Sequence, residues 1–109
     1  LTRRLDVVNI PLISDLGPIM RDASLTLINP LGLHARAAAK FVGVAKAFSS
    51  EVSIQVDTKK ADGKSIMDLL MLGAPVGSQV TLTLNGADEN EACDALSALI
   101  QAGFHELDD

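Results

Sequence analysis

The side chains best placed for chemistry lie at the heads of two apolar segments. His34 stands in "NPLGLHARAAAKFVGVAKAF", residues 29–48, directly after a Pro- and Gly-containing turn, with Arg36 two positions on. If a helix starts at or just after His34, the N–H groups of its first turn (Ala35, Arg36, Ala37) have no intrahelical acceptor and point toward the imidazole. The positive end of the helix dipole disfavours a protonated ring and favours an anion. A neutral imidazole nitrogen is a nucleophile, and a phosphoryl group placed on it would meet these donors. Arg36 adds charge-assisted hydrogen bonds to phosphoryl oxygens, and Gly32 leaves the approach unobstructed. Reversible phosphorylation of His34 fits this pattern. The same residues also fit a histidine that caps a helix or is half buried, and local physics does not choose between the two.

Other reactive residues have less around them. Ser65 heads "SIMDLLMLG" with Asp68 three positions on, which is the spacing of a helix N-cap and its capping-box partner. His105 lies beside an acidic tail and lacks a preorganised ligand set. Cys93, flanked by Ala92, Ala95 and Leu96, reads as core-facing. No metal cluster or Gly-rich nucleotide loop stands out, so neither a metal nor a cofactor is expected. A metabolic enzyme using His34 as general base would need a substrate pocket and partner groups that the sequence does not supply.

The elements that must position these residues follow from hydrophobic period. "SLTLIN" from Ser24 alternates as a half-buried strand. From His34 the period lengthens: Ala37, Phe41, Val44 and Phe48 form a helical stripe, with Lys40 and Lys46 off it and solvated. "VSIQVDT" alternates again, and "KKADG" is a weaker strand or hairpin segment. Residues 65–73 read as a short helix closed by Gly73, with Pro75 beyond it. "SQVTLTLNG" puts Val80, Leu82 and Leu84 on one face. An amphipathic helix then opens at Asp88, with Glu91 at capping-box spacing, and runs through Ala92, Leu96, Leu99 and Ile100. The order is βαββαβα, an α+β arrangement with helices on one face of an antiparallel sheet.

Composition narrows the function classes. The 109 residues suit one small domain with an appendage. With aromatics at 3%, the core must be built from aliphatic side chains. A net charge of −5 argues against general nucleic-acid binding. The single cysteine excludes an internal disulfide framework and fits a reducing, cytoplasmic setting. No apolar run is long enough to span a bilayer, and Asp6, Pro11, Asp15 and Pro18 break any signal-peptide core. Residues 1–22 are too apolar for an ordinary linker. They read as an N-terminal extension or interdomain segment ahead of a domain at 23–109. The initial Leu and this segment favour a piece of a fusion protein over a free-standing monomeric domain.

"GLHARAAAKFV", followed by "GKSIMDLLMLG" at the matching distance, resembles the HPr family of histidine-containing phosphocarriers of the bacterial phosphotransferase system, over roughly Ser24 to Phe104. The resemblance implies an open-faced β-sandwich, with a four-stranded antiparallel sheet covered on one face by three helices. It implies that His34 accepts phosphate from enzyme I, itself charged by phosphoenolpyruvate, and passes it to a IIA-type domain in service of sugar uptake. Arg36 matches the family's phosphate-binding arginine. Ile66, Met67 and Leu70 match its apolar docking patch, with Leu69 and Leu72 left to the core, and Lys40 and Lys46 could meet acidic partner surfaces. Ser65 matches the serine that an HPr kinase phosphorylates in some bacteria, and a regulatory module acting through Ser65 and the docking face is the alternative function. Two departures stand out. Ala37 replaces the family's usual proline, which costs the first turn some stiffness. Asp68 puts an acid on the docking helix, where it could select among IIA-like partners.

Overall fold

The computed structural model describes residues 20–106. Its elements in chain order are β1 (Arg21–Thr26), α1 (Ala35–Ala45), β2 (Glu51–Val56), β3 (Lys59–Asp62), α2 (Ile66–Leu72), β4 (Gln79–Asn85) and α3 (Glu89–Gln101). The strands form one antiparallel sheet in the order β1-β4-β2-β3, with α1, α2 and α3 on one face and the other face open.

Period two sorts the sheet residues. Val80, Leu82 and Leu84 of the central β4 are fully buried, while Thr81 and Thr83 between them face the open side. On β2, Val52, Ile54 and Val56 point into the same core. The weak segment is β3: Ala61 alone on it is buried, and it is held by pairing Ser53 with Asp62 and Val56 with Lys59. The strand read from Ser24 begins earlier, at Arg21, because β4 is long enough to pair Arg21 with Leu84. The Arg21 guanidinium also donates to Asn90 Oδ1 on α3 at 2.7 Å. Of the segment 1–22, residues 1–19 lie outside the described residues, and β1 takes in Arg21 and Asp22.

The helices cover the sheet with small and aliphatic side chains. Ala37, Ala38, Phe41, Val42 and Ala45 make the buried stripe of α1, and Ala92, Leu96 and Ile100 that of α3. Each fully buried Leu or Ile contributes roughly 1.5–3 kcal/mol by removal from water. Two acidic residues read as capping partners do other work. Asp68 accepts the N–H of Asp62 at 3.2 Å, so only the Ser65 half of the expected capping pair forms. Asp88 makes no side-chain cap bond on α3. Its carboxylate instead takes the Ser49 and Ser50 N–H groups, at 2.8 and 2.9 Å, and the Ser50 hydroxyl. That bolts the α1–β2 loop to the head of α3. These donors, the Ser50 hydroxyl foremost, hold the Asp88 carboxyl down at about 2.

No helix among the described residues is long and apolar enough to cross a membrane.

Candidate functional site

His34 is the N-cap of α1. Its backbone is extended, and Nδ1 accepts the N–H of Arg36 at 3.3 Å. The turn before it is set by Gly32, whose φ of +65° few side chains tolerate. The Leu33 N–H donates to Ala74 O at 2.9 Å, tying this turn to the loop after α2. An oxygen at the cap is the usual arrangement; here a ring nitrogen takes its place. That leaves the Nδ1 lone pair aimed at the helix start, among the N–H groups of Ala35, Arg36 and Ala37.

The other ring nitrogen is also engaged, by a residue the sequence reading passed over. Nε2 lies 3.0 and 2.9 Å from the two carboxylate oxygens of Glu106. Since Nδ1 accepts, Nε2 carries the proton in the neutral ring and donates it to this carboxylate. Arg36 Nε donates to the same group at 3.3 Å, and Asn29 Nδ2 at 3.0 Å. Glu106 is buried, and burial alone would push its carboxyl up. The hydrogen bonds from His34 and Asn29, with the electrostatic pull of Arg36, outweigh that and hold it below the ordinary value.

Glu106 reaches the site through an unusual turn. After α3, Gly103, Phe104 and His105 all have positive φ, at 62°, 56° and 60°. Only the first is a glycine, so the other two each cost about 1–2 kcal/mol of backbone strain. Fully buried Phe104 offsets that cost, and Lys40 Nζ clamps its carbonyl at 2.6 Å. Lys40 is therefore half buried and used within the fold, while Lys46 is exposed. His105 projects into solvent. Among the described residues no group of His, Cys, Asp and Glu could hold a metal ion.

Around the site lies an apolar surface. Ile66, Met67 and Leu70 are exposed on α2, and Leu69 and Leu72 are buried beneath them. Met71 (74% exposed) is also exposed on α2, and Ile28, Leu31 (65%) and Val76 are exposed in the loops. Ser65 caps α2, its Oγ accepting the Asp68 N–H at 3.2 Å.

Comparison with known proteins places this arrangement among relatives. Residues 22–102 match the family model described as the PTS HPr component phosphorylation site. The chain is 49% identical over 87 residues to a phosphocarrier protein HPr of Cupriavidus necator, covering 80% of this chain and 98% of that protein. It is 52% identical over 83 residues to one of Pseudomonas putida, covering 75% and 92%. Among solved structures, the HPr of Thermoanaerobacter tengcongensis superimposes with a TM-score of 0.76 at 43% identity, covering 79% of this chain and 97% of that one.

Proposed function

The chain belongs to the HPr phosphocarrier family of the bacterial phosphotransferase system and relays phosphoryl groups between enzyme I and IIA-type domains, and from that premise we propose that His34 Nδ1 is the atom that carries the phosphoryl group. The observation that supports this choice is the division of labour between the ring nitrogens: Nδ1 is an acceptor at the helix start, and Nε2 is committed to Glu106.

The step balances without a proton leaving His34. The Nδ1 lone pair gives up the Arg36 N–H and attacks phosphorus, an N–P bond forms, and the donor's bond to phosphorus breaks with its electron pair returning to the donor. The imidazole, still protonated on Nε2, gains positive charge as this happens. The Glu106 carboxylate is already in place against that nitrogen, and preorganised charge of this kind stabilises a transition state without reorganisation. The phosphoryl oxygens meet the N–H groups of Ala35, Arg36 and Ala37. The Arg36 guanidinium, anchored at one end on Glu106, is within reach of the phosphoryl group. Onward transfer runs the same sequence in reverse, with the positively charged ring as leaving group.

The relay brings positioning to a reaction whose partners supply the rest. Ile66, Met67 and Leu70, extended by Met71 and Leu31, form the surface on which enzyme I and IIA-type domains dock. Lys46 is available to an acidic rim. Ser65 is a second modification site for an HPr kinase in this reading. Asp68 opposes it, because a phosphate on Oγ would face that carboxylate across one helical turn.

Incubation with enzyme I and phosphoenolpyruvate, followed by intact mass, tests the assignment. One acid-labile phosphoryl group on the wild type and none on His34→Ala is expected. A labelled His34→Ala protein would overturn it.

A further inference from the structure

We infer that Asn29 is a positioning residue for phosphoryl transfer, acting on His34 through Glu106. The inference rests on the phosphocarrier reading of His34 and adds to it the group that keeps the carboxylate in place while the reaction proceeds.

The amide of Asn29 is used the wrong way round for a turn residue. An asparagine that builds a turn commonly accepts a backbone N–H two residues on through its side-chain oxygen. Here the oxygen, Oδ1, is buried with no hydrogen-bond partner among the described residues. Both hydrogens of Nδ2 are spent instead, one on Gly32 O at 2.7 Å and one on Glu106 Oε1 at 3.0 Å. Buried polar atoms are almost always paired, so an orphaned oxygen is a cost the fold carries for what the other end of the amide does. Gly32 O fixes the orientation of the amide, and the remaining hydrogen is then delivered to a carboxylate 77 positions away in the chain.

The carboxylate needs this donor because its other two are reactants. Among the described residues its contacts are His34, Arg36 and Asn29. His34 becomes the phosphorylated group, and Arg36 is drawn to the phosphoryl oxygens. Asn29 is the one of the three that neither gains charge nor meets the phosphoryl group, and it sits in the wall of the site, fully buried. It therefore holds Oε1 still while the positive charge on the ring grows and Arg36 engages the phosphoryl oxygens. Without it, a nearly buried carboxylate would have to follow Arg36 or open to water, and the ring would lose its fixed orientation.

The test is a double-mutant cycle of Asn29→Ala and Glu106→Ala. It is read by the rate of phosphoryl acceptance from phosphorylated enzyme I and by the nitrogen NMR signals of the His34 ring at a pH where the ring is neutral. Asn29→Ala is expected to slow acceptance roughly ten- to a hundredfold, as befits one hydrogen bond to a charged group. It should also move the ring nitrogens from a single Nε2-protonated form toward the mixture of a free imidazole. Added to Glu106→Ala it should do nothing further, since a residue acting only through Glu106 has no effect once Glu106 is gone. Urea unfolding of each variant separates this from general loss of fold. An equal slowing by Asn29→Ala in both backgrounds, or unchanged rate and ring signals in the single variant, overturns the inference. If wild-type protein takes no phosphoryl group, the carrier reading of His34 fails instead, and the ring signals alone still decide whether Asn29 acts on His34.

Discussion

Three glycines in different settings give a quantitative check on how the His34 turn is held. A Cβ at Gly32 would lie 2.4 Å from Ala74 O and 2.9 Å from Pro75 Cα, whereas one at Gly73 would meet nothing within 4 Å. Both have positive φ, at 65° and 60°. Gly73→Ala should therefore show only the conformational cost. That is about 1–2 kcal/mol for a left-handed alanine, less about 0.4–1 kcal/mol gained by stiffening the unfolded chain, or near 1 kcal/mol net. Gly32→Ala carries the same cost and also forces the turn off the 74–75 loop. Overpacking of that kind costs about 1–3 kcal/mol, and the displaced Leu33 N–H to Ala74 O bond adds about 1 kcal/mol. The sum is about 3–5 kcal/mol, a large share of the stability of a domain this size. Gly43 lies exposed inside α1 with open space around it, so Gly43→Ala should stabilise by up to about 1 kcal/mol. In urea, with a slope near 1 kcal/mol per molar for a small domain, the midpoint should fall by about 1 M for Gly73→Ala and about 3 M or more for Gly32→Ala, and rise for Gly43→Ala. Equal losses at Gly32 and Gly73 would refute the close approach of the turn to Ala74 and Pro75.

Three further outcomes are expected. Met67→Asp, at a side chain 68% exposed on the proposed docking surface, should raise the enzyme I concentration needed for half-maximal phosphorylation about tenfold or more while leaving the urea midpoint in place. Steady-state transfer assays check it. Lys40→Met, which removes the clamp on Phe104 O, should cost about 1 kcal/mol and slow phosphorylation by loosening the turn that delivers Glu106; unfolding and transfer rates measured together check it. Asp88 has a folded-state value near 2 against an ordinary 3.8, so its stabilisation is fully present above pH 4 and is lost as pH falls toward 2. Asp88→Asn should therefore flatten the acid limb of the stability curve, as followed by circular dichroism between pH 2 and 5.

Period and punctuation carried most of the fold. Val80, Leu82 and Leu84 alternate cleanly, the α1 stripe has its helical spacing, and Ser65 and Gly73 bracket α2. These signals are local, and local physics is what a sequence displays directly. The site was half legible for the same reason. His34, Arg36 and the free N–H groups lie within one turn of helix. Glu106 lies in "HELDD", where a buried acid and a solvated acid look alike. The available signal was Gly103-Phe104 after an amphipathic helix, a glycine stop followed by a large apolar residue that must turn back to the core. Asn29 was legible as a turn residue and not as a donor, because the carboxylate it serves is distant in sequence. Asp88 and Asp68 were read as caps by spacing, while their carboxylates had better partners outside their own helices, in Ser49 and Ser50 for Asp88 and in Asp62 for Asp68.

The left-handed turn at Gly103–His105 has a consequence for how the protein is made. His34 and its helix are complete in the first half of the chain, but Glu106 arrives about seventy residues later. A nascent or shortened chain ending before Gly103 would carry the nucleophile and the helix start without the carboxylate that holds the ring. In the phosphocarrier reading of His34, the full rate of phosphoryl transfer is thus reached only once synthesis has passed α3 and the turn that delivers Glu106.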